Sequence, residues 1–178
     1  MFENRQEAGG ILSQKLLKFK GIIAQACVKN ALVLAIPRGG VVIGKIVSDA
    51  LRIPLGVVYA KKIPTPGQPE LAAGAHIARS KKFGKTPNVK DKNIILVDDG
   101  IATGATIETA IKYLRKKKVK KIILAVPVAP KEAVEQLKRR VDKLIILETP
   151  AYFGAVGEFY HDFPQVTDEE AIELLKPS

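Results

Sequence analysis

The sequence predicts an α/β fold built on a parallel sheet, and three observations carry that reading. Short runs rich in valine and isoleucine alternate with segments of helical period, the signature of strands joined by crossover helices. The runs are Ala31 to Ile36, Leu55 to Tyr59, Asn93 to Val97, Lys121 to Val126 and Leu144 to Leu147. They read as almost continuously apolar, as strands covered on both faces do. The intervening segments each carry one apolar stripe: Ile43, Ile46, Val47, Ala50 and Leu51; then Ile107, Ala110, Ile111 and Leu114; then Ala133, Val134 and Leu137. A five-stranded parallel sheet with helices on both faces follows, preceded by an N-terminal helical segment.

The 178 residues suit a single domain, 1–178, with its core at about 31–148 and both termini outside the strand rhythm. Hydrophobic residues make up 47% of the chain and charged residues 26%, which excludes a disordered or membrane-type composition. The longest apolar runs, such as Ile122 to Pro130, are far shorter than the roughly 20 residues of a bilayer span. MFENRQEAGG lacks the pattern of a secretion signal, so the expected compartment is the cytoplasm. Cys27 is the single cysteine; within GIIAQACV it reads as a small packing residue.

A net charge of +11 attracts acidic partners, whether nucleic acid, anionic membrane or polyphosphate. The cations concentrate in Arg79, Lys81, Lys82, Lys85, Lys90 and Lys92, and again from Lys112 to Lys121. Each cluster holds a single aromatic, Phe83 and Tyr113, and no run of them to stack bases, so both read as solvated surface and nucleic acid is disfavoured as a partner.

Two stretches break the rhythm. Ile63 to Asn93 is too long for a simple strand-to-helix connection and contains PTPGQPE, so it reads as an extended functional loop, a lid over 64–92. From Thr149 the chain runs through TPAYFGAVGEFYHDFPQ to a final helix opened by Thr167 and Glu170, a capping-box pair. This end reads as a cap added to the core.

The segment richest in chemistry is Ile94 to Thr106, IILVDDGIATGAT. A buried strand ends in Asp98 and Asp99 at the carboxyl edge of the sheet, where open α/β sheets bind ligands. Gly100, Ala102, Thr103, Gly104, Ala105 and Thr106 then lead into a helix N-terminus, whose free N–H groups and dipole favour a phosphate. Carboxylates accept hydrogen bonds from vicinal hydroxyls. The pattern therefore describes a ligand with a phosphate at one end and hydroxyls beside it. No lysine follows Gly104 as a Walker A loop requires, and no GxGxxG occurs.

All 13 positions of this segment fit the phosphoribosyl pyrophosphate motif of the type I phosphoribosyltransferases, which the chain resembles. That resemblance implies the fold of the family, with a flexible loop after the second strand and a small hood formed by 1–30 and 149–178. It implies that Asp98 and Asp99 hold the ribose hydroxyls and, through water, Mg²⁺, and that Ala102 to Thr106 wrap the 5′-phosphate. Ala35 to Gly44, AIPRGGVVIG, resembles the family's pyrophosphate loop, and Pro37 to Gly44 is especially similar to xanthine-guanine enzymes. Arg38, Gly39 and Gly40 would contact pyrophosphate there, with a cis peptide between Pro37 and Arg38. Lys61 and Lys62, in YAKKIPTPGQPE, look like the basic pair that enters the flexible loop. Phe153, Val156, Phe159 and Tyr160 fall in the hood that would cover the base, and Arg5 is a further candidate for the hood.

The implied reaction is Mg²⁺-dependent transfer of the phosphoribosyl group to a nitrogenous base, a purine favoured, with release of pyrophosphate and a homodimer as the working assembly. Asp98, Asp99, Lys62 and Arg38 would carry it. Hypoxanthine-type members place an acid where this chain has Ala102, whereas adenine-type members carry alanine. The acceptor base is thus left open. The other readings are a regulator that senses phosphoribosyl pyrophosphate and binds nucleic acid, and a binding domain without catalysis.

Overall fold

The computed structural model describes residues 1–19, 30–65, 68–77, 83 and 86–176, and over 60–77 the description is of the backbone. Strands β1 (Ala31–Ala35), β2 (Leu55–Val57), β5 (Asn93–Val97), β6 (Lys121–Val128) and β7 (Lys143–Glu148) form a sheet in the order β2-β1-β5-β6-β7. Every pairing in it is parallel, with Ala35 opposite Val97 and Leu96 opposite Leu124. The five strands are those the apolar runs predict.

Because side chains alternate along a strand, each run feeds two cores. Val33, Ala35, Ile95, Val97, Ile123 and Ala125 face helices α1 (Arg5–Lys18) and α2 (Gly39–Leu51). Leu32, Leu34, Ile94, Leu96, Ile122 and Leu124 face α3 (Ala105–Lys116) and α4 (Lys131–Lys138). Burying a side chain such as Val33 on one face or Leu34 on the other contributes about 1.5–3 kcal/mol, so the sheet is held from both sides.

One predicted helix face is rotated. Of the α2 stripe, Ile43, Val47 and Leu51 are buried, but Ile46 is half-buried and Ala50 is exposed. The face on the sheet runs through Gly40, Val41, Gly44 and Ser48 instead. A β-carbon at Gly44 would lie 2.8 Å from Ala35 Cβ, so the helix lies against β1 along its small residues, which an apolar count passes over.

The segment read as an extended functional loop has regular backbone where it is described. Over the described residues its backbone forms a two-stranded antiparallel ribbon, β3 (Ala60–Thr65) with β4 (Gln68–Ile77), lying beside α3. Pro64 and Pro69 weigh against strands in a sequence reading, but a ribbon of two strands is all edge and tolerates them. The register shifts fall at Pro64. Cys27, Arg79, Lys81, Lys82 and Lys85 lie outside the described residues.

The two ends of the chain meet as a hood. Phe2 bridges to Tyr160: Phe2 N donates to Phe159 O at 2.8 Å and His161 N to Phe2 O at 2.9 Å. Asn4 caps α1 by accepting from Glu7 N. The final helix α5 (Asp168–Leu174) opens with the expected capping box between Thr167 and Glu170. No described helix is long and apolar enough to cross a membrane.

Candidate functional site

The carboxyl ends of β1 and β5 lie side by side in the middle of the sheet, where the strand order reverses and α/β sheets place their ligands. From β1 the chain passes through Ile36, whose N–H donates to Val97 O at 3.1 Å, into Pro37, Arg38 and α2. The Pro37–Arg38 peptide is cis, as the resemblance implies. From β5 it passes into Asp98 and Asp99.

The two exits are pressed together at glycines. A β-carbon on Gly39 would lie 1.8 Å from Asp99 Oδ2, and one on Gly40 would lie 2.8 Å from Asp98 Oδ1 and 3.0 Å from Asp98 Cα. Only backbone fits between the first turn of α2 and the carboxylates. Arg38 stands exposed at the N-cap of α2, which no side chain caps.

Burial, and then the charge of Asp99, push the Asp98 carboxyl well above the usual carboxylate range. Asp98 Oδ1 accepts from Asp99 N at 2.9 Å. Asp99 has a different setting: Arg5 Nε donates to its Oδ2 at 2.8 Å, and both side chains are largely buried. Its carbonyl accepts from Tyr160 Oη at 2.5 Å. Burial, and then the Asp99 carboxylate, raise the Tyr160 hydroxyl far above its ordinary value, so it acts as a fixed donor.

Beyond the carboxylates, Ile101 is buried and its N–H donates to Val128 O at 2.9 Å, which anchors the start of the loop. Ala102 and Thr103 are then exposed. Gly104 sits at φ 78°, left-handed backbone, and α3 begins at Ala105 with no side-chain cap. Ile107 is buried in the sheet-facing core, which fixes the helix end. The uncapped first turn of α3 can therefore offer backbone donors to an anion.

The structure thus brings together Arg38, Gly39, Gly40, Asp98, Asp99, Gly100 and the loop from Ala102 to Thr106. Lys61 and Lys62 have their backbone on β3, opposite His76 and Ala75. Their side chains lie outside the description. Val156 packs its methyl groups over Gly100, and Phe153 stacks on Phe159 with centroids 5.2 Å apart. Tyr160 departs from the expectation that it lines the base site. It is 5% exposed, with its ring between Phe2 at 5.4 Å and Phe163 at 4.8 Å, and it serves the hood's own core.

The contact between Arg5 and Asp99 was not legible in the sequence, where Arg5 is a candidate for the hood alone. One signal was present: a cation in a helix's first turn has the wrong sign for the dipole and calls for a compensating anion. Among the described residues no cluster of three or more histidine, cysteine, aspartate or glutamate side chains could hold a metal. A separate cavity of about 480 Å³ lies behind the hood, lined by Arg5, Val42, Ile46, Pro164, Val166 and Leu174 among others.

The phosphoribosyl transferase domain profile matches residues 11–163. A Mycobacterium tuberculosis protein provisionally named a phosphoribosyl transferase is 32% identical over 98% of this chain and 46% of its own length. The chain thus spans about half the length of the curated relatives it matches. The crystal structure of TT1426 from Thermus thermophilus has a TM-score of 0.79 at 32% identity, covering 98% of this chain and 97% of that one. A purine phosphoribosyltransferase from Pyrococcus horikoshii shares the fold, with a TM-score of 0.56 at 21% identity over 85% of this chain and 93% of that one. The sheet order, the two loops at its carboxyl edge and these likenesses define an α/β protein of the type I phosphoribosyltransferase fold. The chain belongs to the phosphoribosyl transferase family.

Proposed function

We propose that the protein transfers the 5-phosphoribosyl group of phosphoribosyl pyrophosphate to a nitrogenous base, a purine favoured, with release of pyrophosphate. The observation that carries this reading is the close approach of the uncapped helix end at Gly39 and Gly40 to Asp98 and Asp99, which lead within a few residues into a second uncapped helix end at Ala105. One end suits pyrophosphate and the other the 5′-phosphate, with the carboxylates between them facing ribose hydroxyls. The purine preference rests on the likeness of Pro37 to Gly44 to xanthine-guanine enzymes and on the stacked pair Phe153 and Phe159 in the hood.

In this reading the chain works by holding and by charge. The loop from Ala102 to Thr106 fixes the 5′-phosphate, and Asp98 and Asp99 orient the ribose so that C1′ faces the hood. Arg38, with the N–H groups behind Gly39 and Gly40, stabilises the negative charge that grows on departing pyrophosphate; Lys61 and Lys62 are assigned to the same end. Ala102 cannot take a proton from the base.

The donor set fits Mg²⁺ only as an ion that arrives with pyrophosphate: two adjacent carboxylates, one already paired with Arg5, can face it through water but do not form a cage. When bound, the ion neutralises pyrophosphate.

A panel of purine and pyrimidine bases with phosphoribosyl pyrophosphate and Mg²⁺, followed by pyrophosphate release, tests the proposal. Release with at least one purine is expected. Silence across the panel despite tight binding of the sugar phosphate would overturn the transferase reading. Unchanged binding in the Asp98→Asn, Asp99→Asn double variant would overturn the site.

A further inference from the structure

Arg5 lies 94 residues from Asp99 in sequence, yet it is only 7% exposed and its guanidinium is engaged on three sides. Nε donates to Asp99 Oδ2 at 2.8 Å, Nη1 donates to Pro164 O at 2.8 Å, and the carbon at its centre lies 3.6 Å from the Phe163 ring centroid. Three supports from two distant parts of the chain hold one cation in one orientation. The partner oxygen is equally confined, because Asp99 Oδ2 fills the space a Gly39 side chain would need. One carboxylate oxygen is therefore taken by Arg5, and the orientation of the whole Asp99 carboxylate follows from that contact.

We propose that Arg5 is a positioning residue of the ribose site: it clamps Asp99 to the hood segment at Pro164, so that the hood sets the orientation of the carboxylate that receives the sugar. This rests on the reading of Asp98 and Asp99 as the ribose-binding pair. Three features favour positioning over packing. An arginine held only for hood stability needs no carboxylate from the sheet edge. A cation at the first turn of α1 opposes the helix dipole, a cost that the ion pair offsets. The planar guanidinium reaches Asp99, Pro164 and the Phe163 face at once, whereas a lysine ammonium, a single point charge, cannot reproduce that geometry. A consequence is that sugar and base halves of the site are coupled: ordering the hood over a base tightens the grip on the sugar, and the reverse.

The test is calorimetric titration of the whole protein with phosphoribosyl pyrophosphate and Mg²⁺, with steady-state kinetics on the accepted base. Arg5→Gln is expected to weaken sugar-phosphate binding about ten- to a hundredfold, the size of one charged hydrogen bond, and to raise KM for the sugar phosphate more than it lowers kcat. Arg5→Lys should recover only part of the loss. In the Asp99→Asn background Arg5→Gln should add little, since the two act through one contact. If Arg5→Gln fails to fold, Phe163→Leu removes the ring support while leaving both partners, and a several-fold loss of sugar affinity is expected.

Equal effects of Arg5→Gln with and without Asp99→Asn would overturn the proposal, as would unchanged sugar affinity in both Arg5→Gln and Phe163→Leu. A wild-type protein that does not bind phosphoribosyl pyrophosphate would overturn the site reading and this inference with it. Binding that Asp99→Asn weakens and Arg5→Gln does not would overturn the inference alone.

Discussion

Gly39 and Asp99 compete for one space: the position of a β-carbon on the glycine is 1.8 Å from Oδ2 and 2.7 Å from Cγ of the aspartate. The contact is to a side chain already paired with Arg5, so the aspartate cannot swing aside without breaking a largely buried ion pair.

Gly39→Ala is therefore expected to displace either the α2 loop or the Asp99 carboxylate. Loss of transferase kcat/KM by about a hundredfold or more is the predicted outcome, the scale of a misplaced catalytic geometry. Kinetics within about tenfold of wild type would show that the two loops are not locked as described.

Asp98→Asn separates stability from binding. The folded Asp98 carboxyl has its pKa raised by burial and then by Asp99. Its fold thus keeps a proton that the unfolded chain, with a value of about 4, has already lost. The associated stability is present below that value and disappears as pH rises through the folded value. The asparagine has nothing to lose. Its melting temperature should exceed that of the wild type by a margin that widens as pH rises above about 4 toward the raised folded value, while sugar-phosphate binding is lost. A margin that is flat or shrinks with pH would refute the raised pKa.

Gly104→Ala isolates backbone strain at the phosphate loop. The nearest atoms to an added β-carbon are 3.6 Å away, so space is available, but φ is 78°. The cost should be about 1–2 kcal/mol of stability together with weaker 5′-phosphate binding. Gly104→Asn should lose less, because asparagine visits this region more readily. Chemical denaturation of both variants measures the difference, and equal losses would argue against strain as the cause.

Tyr160→Phe keeps the ring between Phe2 and Phe163 and removes the donor to the Asp99 carbonyl. Stability is expected to fall by about 1 kcal/mol, the worth of one hydrogen bond, with KM for the base unchanged. A large change in base KM with no loss of stability would return Tyr160 to the base site.

The parallel sheet was legible because its signal is local: five apolar runs, and stripes at helical spacing between them. The phosphate loop was legible for the same reason, since Asp98, Asp99 and Gly104 lie within one short segment. What resisted reading depends on approach between distant segments. Gly44 faces β1 although no hydrophobicity scale marks it, so a stripe counted on apolar residues points the α2 face toward Ala50. The ribbon β3–β4 was hidden by prolines that only a free edge permits. In the sequence Tyr160 is indistinguishable from Phe153 and Phe159, and only the placement of Phe2 and Phe163 around it shows that it is interior. Arg5 shows the limit most plainly, because its role is set by residues 99 and 164 and by nothing near position 5.

That same arginine sets an order of events during synthesis. The sheet strands β1, β2, β5 and β6 can pair once residue 128 has left the ribosome, since their contacts are with one another. Arg5 must wait for Pro164, 159 residues later, before both of its guanidinium hydrogen bonds can form. A nascent or truncated chain ending before the hood segment would thus hold a sheet edge whose Asp99 carboxylate lacks the Pro164 side of its clamp, and on the positioning role proposed for Arg5 its hold on the sugar would be complete only once Pro164 is made.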